Sequence, residues 1–186
     1  MTRVCAVFAS LLFMVIVPGT VAGFVPWLLT NWRRANDFPD PIAIRLIGGV
    51  LIALGLAVLL HAIVQFAAEG LGTPAPIAPT RHLVVGGPNR FVRNPMYVAV
   101  VAMIIGQALL LSSTPLIWYG AFCAIVQVTF VYAYEQPTLS NQFGDEYEKY
   151  KTAVPAWLPR LTPWRGPPDK LPQQQSPTPR TSPPDG

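Results

Sequence analysis

Long apolar runs alternate with short polar breaks from Val4 to Tyr134, and beyond that point the pattern changes. The first run, Val4 to Thr30, is interrupted by Pro18-Gly19 and Pro26. A helical span needs roughly 20 apolar residues, and this run supplies them. A cleaved signal peptide is the alternative, because Arg3 precedes the apolar core and Thr20-Val21-Ala22-Gly23 is small; it leaves three spans and an N-terminus outside. The apolar character continues through Phe24, Val25, Trp27, Leu28 and Leu29, which favours a retained helix kinked at Pro18. Trp27 and Trp32 suit an interfacial belt. The second run, Ile42 to Ala68, carries Gly48, Gly49, Ala53, Gly55 and Ala57, small residues that allow close helix packing in lipid. Arg45 lies within snorkelling distance of the interface. Near the other end His61, Gln65 and Glu69 recur every fourth residue and share one helical face, either a polar fringe or one wall of a cavity.

Gly70, Gly72, Pro74, Pro76 and Pro79 then forbid a continuous helix, so 69–93 is expected to be a loop. Asn94-Pro95 has the form of an N-cap followed by proline at the first helical position. A third helix is predicted over 95–112, a tight turn at Ser112-Ser113-Thr114-Pro115, and a fourth helix over 115–134. These two make an antiparallel hairpin, with Trp118 and Tyr119 at the far interface. Leu139, Phe143, Tyr147 and Tyr150 then form an apolar stripe among charged residues, which predicts an amphipathic helix over 137–152 lying on the membrane surface. Val154 to Trp164 mixes prolines with Trp157, Leu158, Leu161 and Trp164 and reads as an interfacial anchor. Residues 165–186, rich in proline, glutamine and serine without aromatics, are expected to be disordered and dispensable for chemistry.

The expected fold is therefore an all-α integral membrane protein: about four transmembrane helices (4–30, 42–68, 95–112 and 115–134), a C-terminal helical hairpin, an amphipathic helix and a tail. Composition agrees, since only 12% of residues are charged, about half the usual share. Arg3, Arg81, Arg90, Arg93, Lys149, Lys151, Arg160 and Arg165 fall on one side and mainly Arg33 and Arg34 on the other. The excess of positive charge puts the first side, with both termini and the site, in the cytoplasm of a bacterial-type inner or plasma membrane. The net charge of +4 is modest, and no basic helix or aromatic-basic repeat points to nucleic acid. Cys5 and Cys123 sit in apolar runs and His61 and His82 are scattered, so neither a disulfide framework nor a metal site is indicated.

Two polar patches stand out against this background, Gly86 to Tyr97 and Tyr134-Glu135-Gln136-Pro137. The hairpin brings the start of the third helix and the end of the fourth to the same membrane face, so Asn94 and Glu135 are expected to be neighbours. Helix-start N–H groups with Arg90 and Arg93 suit a carboxylate or phosphate. A helix end with the Glu135 carboxylate suits a cation or hydroxyl groups. A zwitterionic ligand matches both ends. The competing account is a non-enzymatic four-helix membrane protein whose basic loop binds anionic lipid.

The runs Leu83-Val84-Val85-Gly86-Gly87-Pro88, Val92-Arg93-Asn94-Pro95-Met96-Tyr97, Glu135-Gln136-Pro137-Thr138-Leu139, Phe143 to Tyr150 and Val154 to Pro159 resemble those of the isoprenylcysteine carboxyl methyltransferase and phospholipid methyltransferase families. The likeness is continuous from about Gly72 to Pro159, and residues 1–164 would form the methyltransferase domain. It implies an S-adenosylmethionine-dependent membrane methyltransferase with a cytoplasmic cofactor pocket. The acceptor would be a lipophilic small molecule, a lipid or a prenylated substrate, entering from the bilayer. Cofactor contacts carry over to Arg81, His82, Leu83 and Val84, to Asn89, to Arg93, Asn94, Pro95, Met96 and Tyr97, and to Glu135. Asn94 stands where the families have histidine, which removes a histidine-based proton role. Their paired glutamates become Glu135-Gln136. An arginine that engages the substrate carboxylate in the eukaryotic enzymes falls at Val131. A membrane reductase related at its helical end would instead bind a nicotinamide cofactor, and no Gly-x-Gly-x-x-Gly fingerprint supports that.

Overall fold

The computed structural model of the chain describes Leu12 and residues 16–39, 41–69 and 85–166, with the side chains of residue 63 and residues 65–69 outside the description. The start of the first predicted span, the Arg81–Val84 segment, the side chains of Gln65 and Glu69 and the tail beyond Gly166 therefore lie outside the described residues. All regular structure among the described residues is helical. Helix α1 covers Ile16–Thr30, α2 Ile42–Glu69, α3 Pro95–Leu111, α4 Thr114–Phe143 and α5 Asp145–Ala153. In the described part of the segment expected to be loop, residues 85–93, a 3-10 turn covers Gly87–Arg90.

Among the described residues two stretches are long and apolar enough to cross a bilayer, Ile42–Ala62 and Thr114–Phe143; Ile16–Thr30 and Pro95–Leu111 are shorter. Leu46, Val50, Leu54 and Val64 on α2, and Trp118, Phe122, Ile125 and Val126 on α4, stand exposed. Apolar surface that extensive needs a nonaqueous neighbour, and the apolar helices supply the length for one.

Helix α3 is central and packs on α2 and α4. Small residues let these backbones approach closely. A Cβ on Gly106 would lie 2.6 Å from the Gly48 carbonyl oxygen, and one on Gly55 2.8 Å from the Ala99 carbonyl oxygen. Of the small residues expected to pack, Gly48 and Gly55 do so. Gly49 instead faces open space, and Ala53 and Ala57 are exposed. Ala22, Leu59, Ala99, Val100, Ile104 and Cys123 form the core between the helices.

Both long irregularities are π turns, and each precedes a proline. Pro18 was expected to kink the first helix, yet α1 runs through it and widens at Thr20–Phe24 instead. The cause lies at Pro26, which has no N–H for the Ala22 carbonyl four residues back. The Val25 N–H reaches back to the Thr20 carbonyl, which also releases the carbonyl of Val21. Side chains from the other helices serve both oxygens. Gln107 Nε2 donates to the Ala22 carbonyl at 2.7 Å and the Tyr119 hydroxyl donates to the Val21 carbonyl at 2.9 Å. This ties α1 to α3 and α4.

The second π turn, Val131–Glu135, precedes Pro137. The fourth helix was expected to end at Tyr134. It continues to Phe143, because the Gln136 N–H pairs with the Val131 carbonyl and the widened turn makes room for the proline ring. The predicted 137–152 helix is accordingly divided. Its first part belongs to α4, and α5 begins after Gly144, whose φ of +51° turns the chain. The aromatic stripe folds inward: Tyr147, Tyr150 and Val154 pack with Val85, Leu139, Phe143 and Trp164.

Candidate functional site

Asn94 precedes α3 but does not cap it with its side chain. Asn94 Nδ2 instead donates to the Ala156 carbonyl at 3.2 Å, a correction to the simple N-cap expectation. Pro95, at the first helical position, has no N–H to satisfy. Among the described residues, the N–H groups of Met96 and Tyr97 at the positive end of the helix have no side-chain acceptor.

The segment 155–164 holds this mouth in place. The Arg93 N–H donates to the Pro155 carbonyl, the Arg160 N–H to the Phe91 carbonyl and the Trp164 N–H to the Arg90 carbonyl, each at 2.9 Å. Arg90 Nε returns a bond to the Trp164 carbonyl at 2.7 Å. From α5 the Tyr150 hydroxyl donates to the Asn89 carbonyl at 2.7 Å. The phenols of Tyr147 and Tyr150 are held above their usual range, chiefly by burial, with Arg93 opposing the shift in both.

The π turn of α4 meets this mouth through a side-chain hydrogen bond. The Tyr97 hydroxyl donates to Glu135 Oε2 at 3.0 Å, across 38 residues of sequence. The π turn is what allows it. In a regular α-helix residues five apart, such as Val131 and Gln136, point about 140° from each other, whereas the wider turn lets Val131, Glu135 and Gln136 all face inward. Val131 is buried in the interior. Gln136 is buried too, and its Nε2 has no hydrogen-bond partner among the described residues.

A cleft opens between these elements. Asn89, Arg93, Asn94, Pro95, Met96, Tyr97 and Glu135 line it, together with Pro88 and Ala62. Seven of the eleven residues expected at the site thus surround one space, while Arg81, His82, Leu83 and Val84 lie outside the described residues. Arg93 Nη1 donates to the Tyr147 hydroxyl at 3.4 Å. Its Nε is buried without a partner among the described residues, so the guanidinium keeps donor capacity for an anion. On α2 His61 is exposed, which fits the polar-fringe alternative, while the neighbouring Ala62 meets the cleft; the side chains of Gln65 and Glu69 lie outside the described residues. No sequence signal distinguishes Ala62, because an alanine in an apolar run carries no chemistry of its own.

A family model described as phospholipid methyltransferase matches residues 43–146. That match contains both walls of the cleft and ends before the 155–164 segment. The chain is 34% identical over 64 residues to an uncharacterized protein of Haemophilus influenzae, a match covering 34% of this chain and 100% of that protein. No solved structure matches.

Proposed function

The chain belongs to the phospholipid methyltransferase family, and from that premise we propose that it is an integral membrane enzyme that transfers a methyl group from S-adenosylmethionine to a lipophilic acceptor. The single observation that carries this is the Tyr97–Glu135 hydrogen bond, which sets an anchored carboxylate opposite Arg93 and the open N-terminus of α3. A ligand with a carboxylate at one end and amino or hydroxyl groups at the other fits that pair of ends.

The donor capacity left at Arg93 Nε and the uncapped N–H groups of Met96 and Tyr97 suit the carboxylate of the cofactor. Glu135 suits its amino or hydroxyl groups, and Tyr97 fixes which way that carboxylate points. The resemblance adds Arg81 to Val84 to the same pocket. When bound, S-adenosylmethionine supplies a methyl group already activated by its sulfonium. The protein then contributes proximity, orientation and exclusion of water. Asn94 and Pro95 are buried beside the cleft and serve the last of these. Asn94 also positions the mouth through Ala156. A carboxylate acceptor needs no base. An amine acceptor sheds a proton, and among the described residues of the cleft Glu135 is the carboxylate that can accept it, directly or through water. Val131 stands where an arginine would engage a prenyl-cysteine carboxylate, which directs the proposal towards a lipid amine or a small hydrophobic metabolite.

The proposed topology is four spans with the cleft on the cytoplasmic side. Residues 1–164 form the methyltransferase domain of an inner or plasma membrane protein.

The test is to incubate membranes containing the full chain with methyl-labelled S-adenosylmethionine and to separate lipid, protein and small-molecule fractions. Label should enter an organic-extractable acceptor, and Glu135→Ala should abolish it. Absence of label above membranes lacking the chain, in every fraction, would overturn the assignment. A protein that only binds anionic lipid through its basic loop would show lipid affinity that falls with salt and ignores Glu135.

A further inference from the structure

The segment Pro155 to Trp164 takes no part in the proposed chemistry, yet it is bound tightly on one side and bare on the other. Its backbone and Trp164 hold residues 90–94 through the Arg93–Pro155, Arg160–Phe91, Trp164–Arg90 and Asn94–Ala156 hydrogen bonds. Trp164 packs on Tyr150, with ring centroids 5.3 Å apart. Its outer side presents Leu158 and Leu161, 78% and 98% exposed. Arg160 is fixed between them by a bond from Nη1 to the Ala153 carbonyl at 2.7 Å. Arg165 follows the segment directly, and on the preceding helix Lys149 and Lys151 stand beside acids, Lys151 pairing with Glu148 at 3.5 Å.

Helix length sets the depth of this segment. The 17 residues of α3 cover about 26 Å at 1.5 Å each, against a hydrocarbon core of roughly 30 Å. A membrane-crossing α3 therefore has its first residue at or just inside the core boundary. A strap hydrogen-bonded to Arg93 and Asn94, immediately before that residue, sits at headgroup level. Two leucines projecting there, with Arg160 between them and Arg165 just beyond, match the chemistry of an anionic lipid interface. The family match ends at residue 146, so it assigns nothing to this segment.

We propose that Pro155 to Trp164 is a bilayer-seated clamp: Leu158 and Leu161 enter the headgroup–acyl boundary of an anionic membrane beside the cleft. The strap's hydrogen bonds transmit that seat to Arg90–Asn94. The clamp holds the mouth of the cleft at the depth where a lipid headgroup arrives. It depends on the membrane location given above and is independent of the methyl donor.

The test uses the full chain in phosphatidylcholine vesicles with and without phosphatidylglycerol. Single cysteines replace Leu158, Leu161 or, on the exposed lipid-facing side of α4, Val126, in a Cys5→Ser/Cys123→Ala background. Each carries an environment-sensitive fluorophore. Both leucine positions are so exposed that labelling leaves the fold intact. The expected result is loss of emission from labels at 158 and 161 with brominated lipid, as at 126, little loss with aqueous iodide, and a blue shift that grows when phosphatidylglycerol is added. Quenching of 126 by lipid with 158 and 161 open to iodide would overturn the clamp alone. Iodide access at all three positions would overturn the membrane location as well.

Discussion

Gln107→Leu should destabilise the helix bundle through a carbonyl on another helix, and replacing a proline should relieve it. Gln107 Nε2 bonds the Ala22 carbonyl at 2.7 Å, and that oxygen is free because Pro26 cannot donate to it. Removing the amide leaves a polar oxygen in an apolar core, where an unmet group costs about 1–3 kcal/mol. Membrane reference states reduce such values towards roughly 0.6–2 kcal/mol, so a loss of about 1 kcal/mol is expected. Pro26→Ala supplies an N–H four residues on from Ala22. Pro26 is fully buried, so Pro26→Ala carries a packing cost of its own and only the coupling is diagnostic. In a double-mutant cycle measured by reversible denaturant unfolding in mixed micelles, Gln107→Leu should cost at least 0.5 kcal/mol less in the Pro26→Ala background, an estimate at the low end for coupled groups. Additive losses would refute the idea that Gln107 answers a proline-released carbonyl.

Gly106→Val should be destabilising by about 1–3 kcal/mol, because even its Cβ would meet the Gly48 carbonyl oxygen at 2.6 Å; the same unfolding assay checks this. Tyr97→Phe removes the donor to Glu135 and should weaken cofactor binding about three- to tenfold, the equivalent of one hydrogen bond, without changing helicity by circular dichroism. Truncation after Gly166 should leave cofactor binding unchanged. Truncation after Ala153 should lower it, because it deletes the Pro155 and Ala156 carbonyls that hold Arg93 and Asn94; equal binding by both truncations would contradict the positioning role of the strap.

What was legible in the sequence was whatever rests on local chemistry. Apolar run length located α2 and α3 within a residue or so. Pro95 marked the start of α3, and Ser112-Ser113 marked the turn that sets Tyr97 and Glu135 at one end of the hairpin. Proline misled where its effect is not local. Pro137 reads as a helix end when taken alone, yet α4 absorbs it in a π turn, and that turn aims Glu135 at Tyr97. Pro18 drew attention as a kink, while the consequential residue was Pro26, whose partners Gln107 and Tyr119 lie on other helices. The side chain of Asn94 was assigned by a pattern that knows only its own helix, and a carbonyl 62 residues away claimed it. The aromatic stripe of α5 was visible, but its destination depended on Val85 and Trp164, which no periodicity connects.

The central claim is that Arg93, the start of α3 and Glu135 form one cofactor pocket. Isothermal titration of S-adenosylmethionine into the purified full chain in detergent tests it most directly. The account predicts saturable binding that Glu135→Ala and Arg93→Leu each weaken by about tenfold or more, as the loss of a charge-assisted hydrogen bond implies, whereas Leu161→Ser leaves it unchanged. No measurable binding, or binding indifferent to both Glu135 and Arg93, would contradict it.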